Sequence, residues 1–205
     1  VVAHSPLIRA AETARAIAEA WQALGAPVLL REDAAFLEIG QGVWEGLTHV
    51  EVQRRYPEAL AGWRRRPAEV WAPGGESLAD ADGRLRPGLQ RLLAELAAEG
   101  IPGDPDRRQV PAIPDPPPRH PWAVIVGHDG IFKLLYLCLL GLPLDRFWSF
   151  AFELCGISVV EFRAGRPTLR AHNRIEHLAA DPAANPAADD PTDDEAIAPG
   201  GRGDP

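Results

Sequence analysis

The feature that most narrows what this chain can fold into is the run Ala123-Val124-Ile125-Val126, which passes through Gly127-His128-Asp129-Gly130 into a long apolar stretch, Ile131 to Leu142. The first run reads as a buried strand and the second as a helix that is apolar nearly all round and therefore covered on several sides. A strand that turns sharply into a covered helix is half of a strand-helix-strand unit, and such units need a mostly parallel sheet with helices packed on it. Ligands in sheets of this kind sit beyond the carboxyl ends of the strands. His128 stands at such an end, with Gly127 and Gly130 permitting a tight turn and close ligand approach.

The rest of the chain repeats the alternation. Ala14, Ile17, Ala18, Trp21 and Leu24 recur at helical spacing over residues 8–24, closed by Gly25 and Pro27, after an opening Val1-Val2-Ala3 that reads as the body or end of a buried strand. Val28 to Leu30 reads as a short buried strand. Thr48 and Glu51 form a capping box for a helix towards Tyr56, which Pro57 restarts. Ser77 caps a longer helix in which Leu78, Ala81, Leu85, Leu89, Leu92 and Leu96 share a face, ended by Gly100. Two strands near 157–162 and 167–171 finish the fold.

Two segments stand apart. Residues 101–121 are crowded with Pro and lack an apolar period, so they are expected to form an extended surface insertion. Residues 179–205 are expected to be a disordered acidic tail, too poor in apolar residues to offset their ordering entropy. Its Arg202-Gly203-Asp204 string reads as a chance match to an adhesion tripeptide.

Charge excludes several functions. The tail from residue 181 holds seven carboxylates and one Arg, which leaves 29 − 7 = 22 acids against 21 − 1 = 20 bases in residues 1–180, a net charge of −2. A nearly neutral body gives no support to a nucleic-acid-binding face, which needs clustered Lys and Arg. Arg54, Arg55 and Arg64-Arg65-Arg66 read as solvated helix faces. No apolar run is long enough to span a bilayer and no signal-type start is present, so the expectation is a cytoplasmic protein without a membrane partner. Cys138 and Cys155 lack metal spacing and read as buried thiols; no metal or cofactor is implied.

Three residues are candidates for chemistry. Arg9 lies in Ser5-Pro6-Leu7-Ile8-Arg9-Ala10-Ala11-Glu12-Thr13, in the first turn of a helix, where backbone N–H groups favour anions and a guanidinium forks onto phosphate. Glu38 precedes the Gly-rich loop Gly40-Gln41-Gly42-Val43-Trp44-Glu45-Gly46. His128 follows its strand directly, with Asp129 beside it. His4, Glu76 and Ser77 read as structural or capping residues. No Gly-x-Ser-x-Gly elbow, phosphate loop ending in Gly-Lys-Ser/Thr, or dinucleotide fingerprint occurs.

Taken in order, these strings resemble the histidine phosphatase superfamily, in its phosphoglycerate-mutase-like branch. The resemblance spans about residues 1–178 and includes Leu37-Glu38, Gly42-Val43-Trp44-Glu45-Gly46, Pro73-Gly74-Gly75-Glu76-Ser77-Leu78, Gly127-His128-Asp129-Gly130, Leu140-Gly141-Leu142-Pro143, Asn173 and His177-Leu178. It implies a three-layer α/β/α fold with a mostly parallel central sheet and a domain over residues 1–178. It also implies phosphoryl transfer through a phosphohistidine, most readily hydrolysis of a small phosphomonoester, less readily a mutase reaction. Arg9, His128 and Asp129 then line the phosphate site, and Glu38 is the acid that protonates the leaving oxygen and then activates water. Beside a phosphate dianion, His128 is expected to favour its protonated form.

The resemblance also sets two departures. Asp129 stands where that family commonly has Gly, and its carboxylate weakens anion binding unless it points away or serves the leaving group. The family's nucleophile lies in an Arg-His-Gly string on its opening strand, and no such string occurs here. With no Met in the chain, the expectation is a fragment whose first strand is missing, inactive as it stands, with that strand belonging beside residues 123–126. The alternative is a non-catalytic relative that binds a phosphorylated ligand or protein. The oligomeric state and the substrate's identity are not written in the sequence.

Overall fold

The computed structural model describes residues 1–99, 121–163 and 165–178. Strand β1 (Val2–His4) forms the middle of a three-stranded parallel sheet, with β2 (Leu30–Glu32) on one side and β3 (Val124–Val126) on the other. The register pairs Ala3 with Arg31 and with Ile125, so the carboxyl ends at His4 and Val126 lie level. All three residues of β1 are buried. Strands β4 (Ile157–Arg163) and β5 (Arg166–Arg174) form an antiparallel hairpin that is a separate sheet among the described residues. The second edge of β3 therefore has no strand partner among them.

Helix α1 (Ile8–Ala23) packs on β1 through Ala10, Ala14 and Ala18, small side chains that let the helix approach closely. Leu24, placed on the buried face by its spacing, is 82% exposed, because the helix ends one residue earlier and turns at Gly25 with φ of +79°. The second strand also departs from expectation. It begins at Leu30, two residues later than Val28, and its residues are exposed or half-buried, since an edge strand is covered less than a central one.

Helices α2 (His49–Arg55) and α3 (Pro57–Arg65) form as the sequence predicts. Thr48 Oγ1 accepts from the Glu51 N–H and the Glu51 carboxylate accepts from the Thr48 N–H, while Pro57 occupies the first turn of α3, where its missing N–H costs nothing. The arginines of both helices are exposed. In α4 (Leu78–Glu99) the Ser77 hydroxyl accepts from the Asp80 N–H at 3.1 Å, and Leu78, Ala81, Leu85, Leu89 and Leu92 are buried. Each such buried Leu contributes about 2 kcal/mol relative to exposure.

Helix α5 (Asp129–Leu140) packs on α4 and buries Ile131 and Leu134 to Leu137, with Tyr136 against Phe150, Phe152 and His172, and it ends at Gly141 with φ of +65°. It carries His128 as its N-cap residue. Cys138 is half-buried and Cys155 is exposed, so the expected pair of buried thiols is corrected; Cys155 lies at a turn with φ of +57°, outside any apolar packing. No helix among the described residues is long and apolar enough to cross a membrane. The expected Pro-rich insertion, but for residue 121, and the acidic tail lie outside the described residues.

Candidate active site

The level ends of β1 and β3 bring Ser5 and His128 together. Ser5 is fully buried, its N–H donates to the Val126 carbonyl at 3.0 Å, and its Oγ lies 2.8 Å from His128 Nε2. The same Oγ accepts from the Leu7 N–H at 3.2 Å, which ties the start of α1 to the imidazole. Arg9, two residues further on, is exposed in the first turn of α1. Burial, and then the positive charge of Arg9, push the His128 pKa down to about 4. Without an anion the imidazole is therefore neutral at ordinary pH. The protonated form expected beside phosphate requires the phosphate to be there.

Glu38 arrives from the opposite side. A short 3₁₀ turn at Ala34–Phe36, capped by the Asp33 carboxylate, buries Phe36 and swings the chain towards α5. The Glu38 carboxylate then sits on the N-terminus of α5. Oε2 accepts from the Gly130 N–H at 3.2 Å, and Oε1 accepts from the Ile131 N–H at 3.1 Å and from the Ile39 N–H at 2.9 Å. A Cβ at position 130 would lie 2.6 Å from Glu38 Oε1, so only glycine leaves room for this seat. Burial raises the Glu38 pKa, and the negative charge of Asp129 adds to that, while the three N–H donors oppose both.

The loop behind Glu38 is fixed by Glu76 and Gly42, which lie in marked strings, and by Arg84, which no sequence motif marked. Arg84 on α4 makes a forked pair with Glu76, at 2.7 and 2.8 Å, and donates to the carbonyls of Ala35 at 3.0 Å and Glu38 at 3.1 Å. Glu76 in turn accepts from the Gly40 N–H at 3.3 Å. Glu76, read from the sequence as a structural or capping residue, is thus a link between α4 and the Glu38 loop. Gly42, with φ of +49°, packs against the backbone of Pro73 to Gly75 so closely that a Cβ would come within 2.4 Å. Ser77 remains a cap, and His4 is buried with Nδ1 2.8 Å from the Ser5 carbonyl, a structural contact.

Asp129 meets a partner that in the sequence is only a lysine in the middle of an apolar helix. Lys133 Nζ lies 2.5 Å from Asp129 Oδ2 one helical turn on, so the charge of the extra carboxylate beside His128 is partly compensated. The spacing i, i+4 with the acid N-terminal was the available signal. The fold therefore collects Arg9, Glu38, His128 and Asp129, from separated strings, around the start of α5. Such a set can hold an anion by Arg9 and His128, and hold a proton near it on Glu38. No cluster of three or more His, Cys, Asp or Glu suited to a metal occurs among the described residues.

The family model for the histidine phosphatase superfamily (branch 1) matches residues 1–101 and 103–175. Phosphoserine phosphatase 1 of Hydrogenobacter thermophilus is 30% identical over 178 residues, which cover 87% of this chain and 72% of that protein. Glucosyl-3-phosphoglycerate phosphatase of Mycobacterium tuberculosis is 32% identical over 144 residues, 70% of this chain and 55% of that protein. A solved structure of a mycobacterial glucosyl-3-phosphoglycerate phosphatase with inorganic phosphate superposes with a TM-score of 0.64 at 28% identity, over 85% of this chain and 76% of that one. The chain thus spans between about half and three-quarters of the length of these relatives.

Proposed function

Because the chain belongs to branch 1 of the histidine phosphatase superfamily, we propose that residues 1–178 act in hydrolysis of a small phosphomonoester through a phosphohistidine, with phosphatase rather than mutase action. The observation that carries this reading is the meeting of Glu38 and His128 at one helix N-terminus, with the charge of Arg9 felt at the imidazole. Arg9 and His128 clamp the phosphoryl oxygens, the imidazole taking up a proton as the dianion enters. The nucleophilic nitrogen forms a bond to phosphorus while the bond to the leaving oxygen breaks, and Glu38 gives that oxygen its proton. Glu38, now a carboxylate, takes a proton from the water that cleaves the phosphorus–nitrogen bond. A raised carboxyl pKa suits the first half of that cycle. No metal is needed, since the transferring group asks chiefly for positioning and charge neutralisation.

The reading puts the nucleophile on a strand beyond these 205 residues, beside the edge of β3 that lacks a strand partner among the described residues. A second reading is a non-catalytic protein that binds a phosphorylated ligand or protein through Arg9 and His128. An in-frame Arg-His-Gly after a short apolar strand in the coding sequence supports the first, and a complete gene without one supports the second. For a protein that carries the motif, an alkaline quench after mixing with an aryl phosphate should trap phosphohistidine. Turnover that survives Arg9→Ala combined with His128→Ala would overturn the clamp roles of both residues. The relatives act on phosphoserine and glucosyl-3-phosphoglycerate by name, and small phosphorylated metabolites of that size are the substrates to screen first.

A further inference from the structure

Lys133 is the one lysine in the chain, and it is 6% exposed. Its ammonium is held by Asp129 and lies 4.8 Å from the centre of the Trp148 ring and 5.6 Å from that of Phe147. Lysine is seldom taken this far from water, and replacing a buried ion pair by well-packed apolar residues is often no less stable. Stability alone therefore gives no reason for the pair. Its position does. Asp129 is the first residue of α5, and the next two N–H groups hold the Glu38 carboxylate. Two carboxylates thus share one helical turn, and a single buried ammonium compensates one of them. The Asp129 side chain is 49% exposed, so the carboxylate, not the ammonium, is the end of the pair open to solvent.

We propose that Asp129 and Lys133 are a positioning pair that sets how readily Glu38 holds its proton: the Asp129 charge disfavours a second carboxylate at the same helix end, and Lys133 limits that effect by holding the Asp129 charge. The other groups around Glu38 leave this pair as the variable element. His128, the N-cap of α5, is neutral above about pH 4. On α4, Arg84 touches the Glu38 carbonyl instead of its carboxylate and is itself paired with Glu76. Burial gives Glu38 a raised pKa, to which the Asp129 charge adds. The value of such tuning rests on Glu38 being the proton donor and acceptor, since such a group works best with its midpoint near the working pH; the electrostatic coupling does not depend on that role.

The test uses the chain itself, labelled with ¹³C at the glutamate carboxyls, with the Glu38 signal assigned by its loss in Glu38→Gln. Titration should show the Glu38 midpoint moved down in Asp129→Asn and up in Lys133→Gln. Opposite shifts from two variants that break the same ion pair are the signature of charge coupling. A midpoint that stays put in both, or moves the same way in both as a merely structural contact would make it, overturns the proposal. Should Lys133→Gln not fold, Asp129→Asn still has to lower the midpoint, and Lys133→Arg, which keeps the charge, has to leave it near the wild-type value. In a turnover-competent protein the Glu38 limb of the pH–rate profile should move with the NMR midpoint. Midpoints that shift while that limb stays fixed would overturn Glu38 as the acid and leave the coupling standing.

Discussion

His128→Gln should make the protein less sensitive to acid. In the folded chain burial and the Arg9 charge hold the imidazole at a pKa of about 4, against 6.5 for an ordinary histidine. Between those values the unfolded chain binds a proton that the folded chain does not, so folding stability from this group is present in full above the upper value. It is lost as pH falls through the window and levels off below the lower one. Over the whole window from 6.5 to about 4, at ~1.36 kcal/mol per pH unit, the effect amounts to about 3 kcal/mol. Glutamine keeps an amide within reach of Ser5 Oγ and removes the titration. The measurement is urea unfolding of both proteins at about pH 7.5 and about pH 4.5, with the difference of differences read out, because other groups also titrate there. Because a pH of about 4.5 lies just above the folded-state value, the wild type should lose about 2.5 kcal/mol more than the variant, most of that window. Equal losses, or an NMR midpoint for His128 near that of a free histidine, would refute the argument from burial. Phosphate should partly reverse the effect, since a dianion between Arg9 and His128 favours the imidazolium, and its binding near neutral pH should take up protons.

Gly130→Ala drives a methyl group to 2.6 Å from Glu38 Oε1, so the carboxylate should leave its seat and give up the N–H groups of Gly130 and Ile131, at a loss of about 2 kcal/mol in urea unfolding. Unchanged stability would mean that Glu38 is not held by α5. Arg84→Met removes the forked pair and three carbonyl contacts, to Ala34, Ala35 and Glu38, and leaves the Glu76 carboxylate with the Gly40 N–H alone. It should cost about 2 kcal/mol, less than a fully buried pair because both side chains keep some exposure, and should raise hydrogen exchange in residues 38–41; wild-type exchange there would refute the link.

How far the site was legible in the sequence depended on whether a residue's role was local. The Thr48 and Glu51 capping box, the Ser77 cap and the turn after Val126 are contacts within a few residues, and each reads directly from its string. Lys133 was also within reach, at one turn from Asp129, but a lysine in an apolar run reads as an interruption until the rings of Phe147 and Trp148 are seen to cover it. The failed expectations share a cause. Leu24, the burial of residues 28–30 and the buried thiols were all inferred from apolar character, and apolar residues are common on surfaces.

What the sequence alone determined is the alternation of strands feeding helices, because helix periodicity, capping and the strand-to-helix turn are set by neighbours along the chain; Arg9, Glu38 and His128 stood out as candidates through the strings that resemble the family. Only the tertiary structure decided that Ser5 would grip His128 across 123 residues, that Arg84 would staple the Glu38 loop from another helix, and that the start of α5 would hold one carboxylate on its amides and another on its lysine. Those contacts arise from the parallel register of β1 and β3 and from the packing of α4 on α5. They join side chains with no relation in sequence spacing, and burial then sets their protonation.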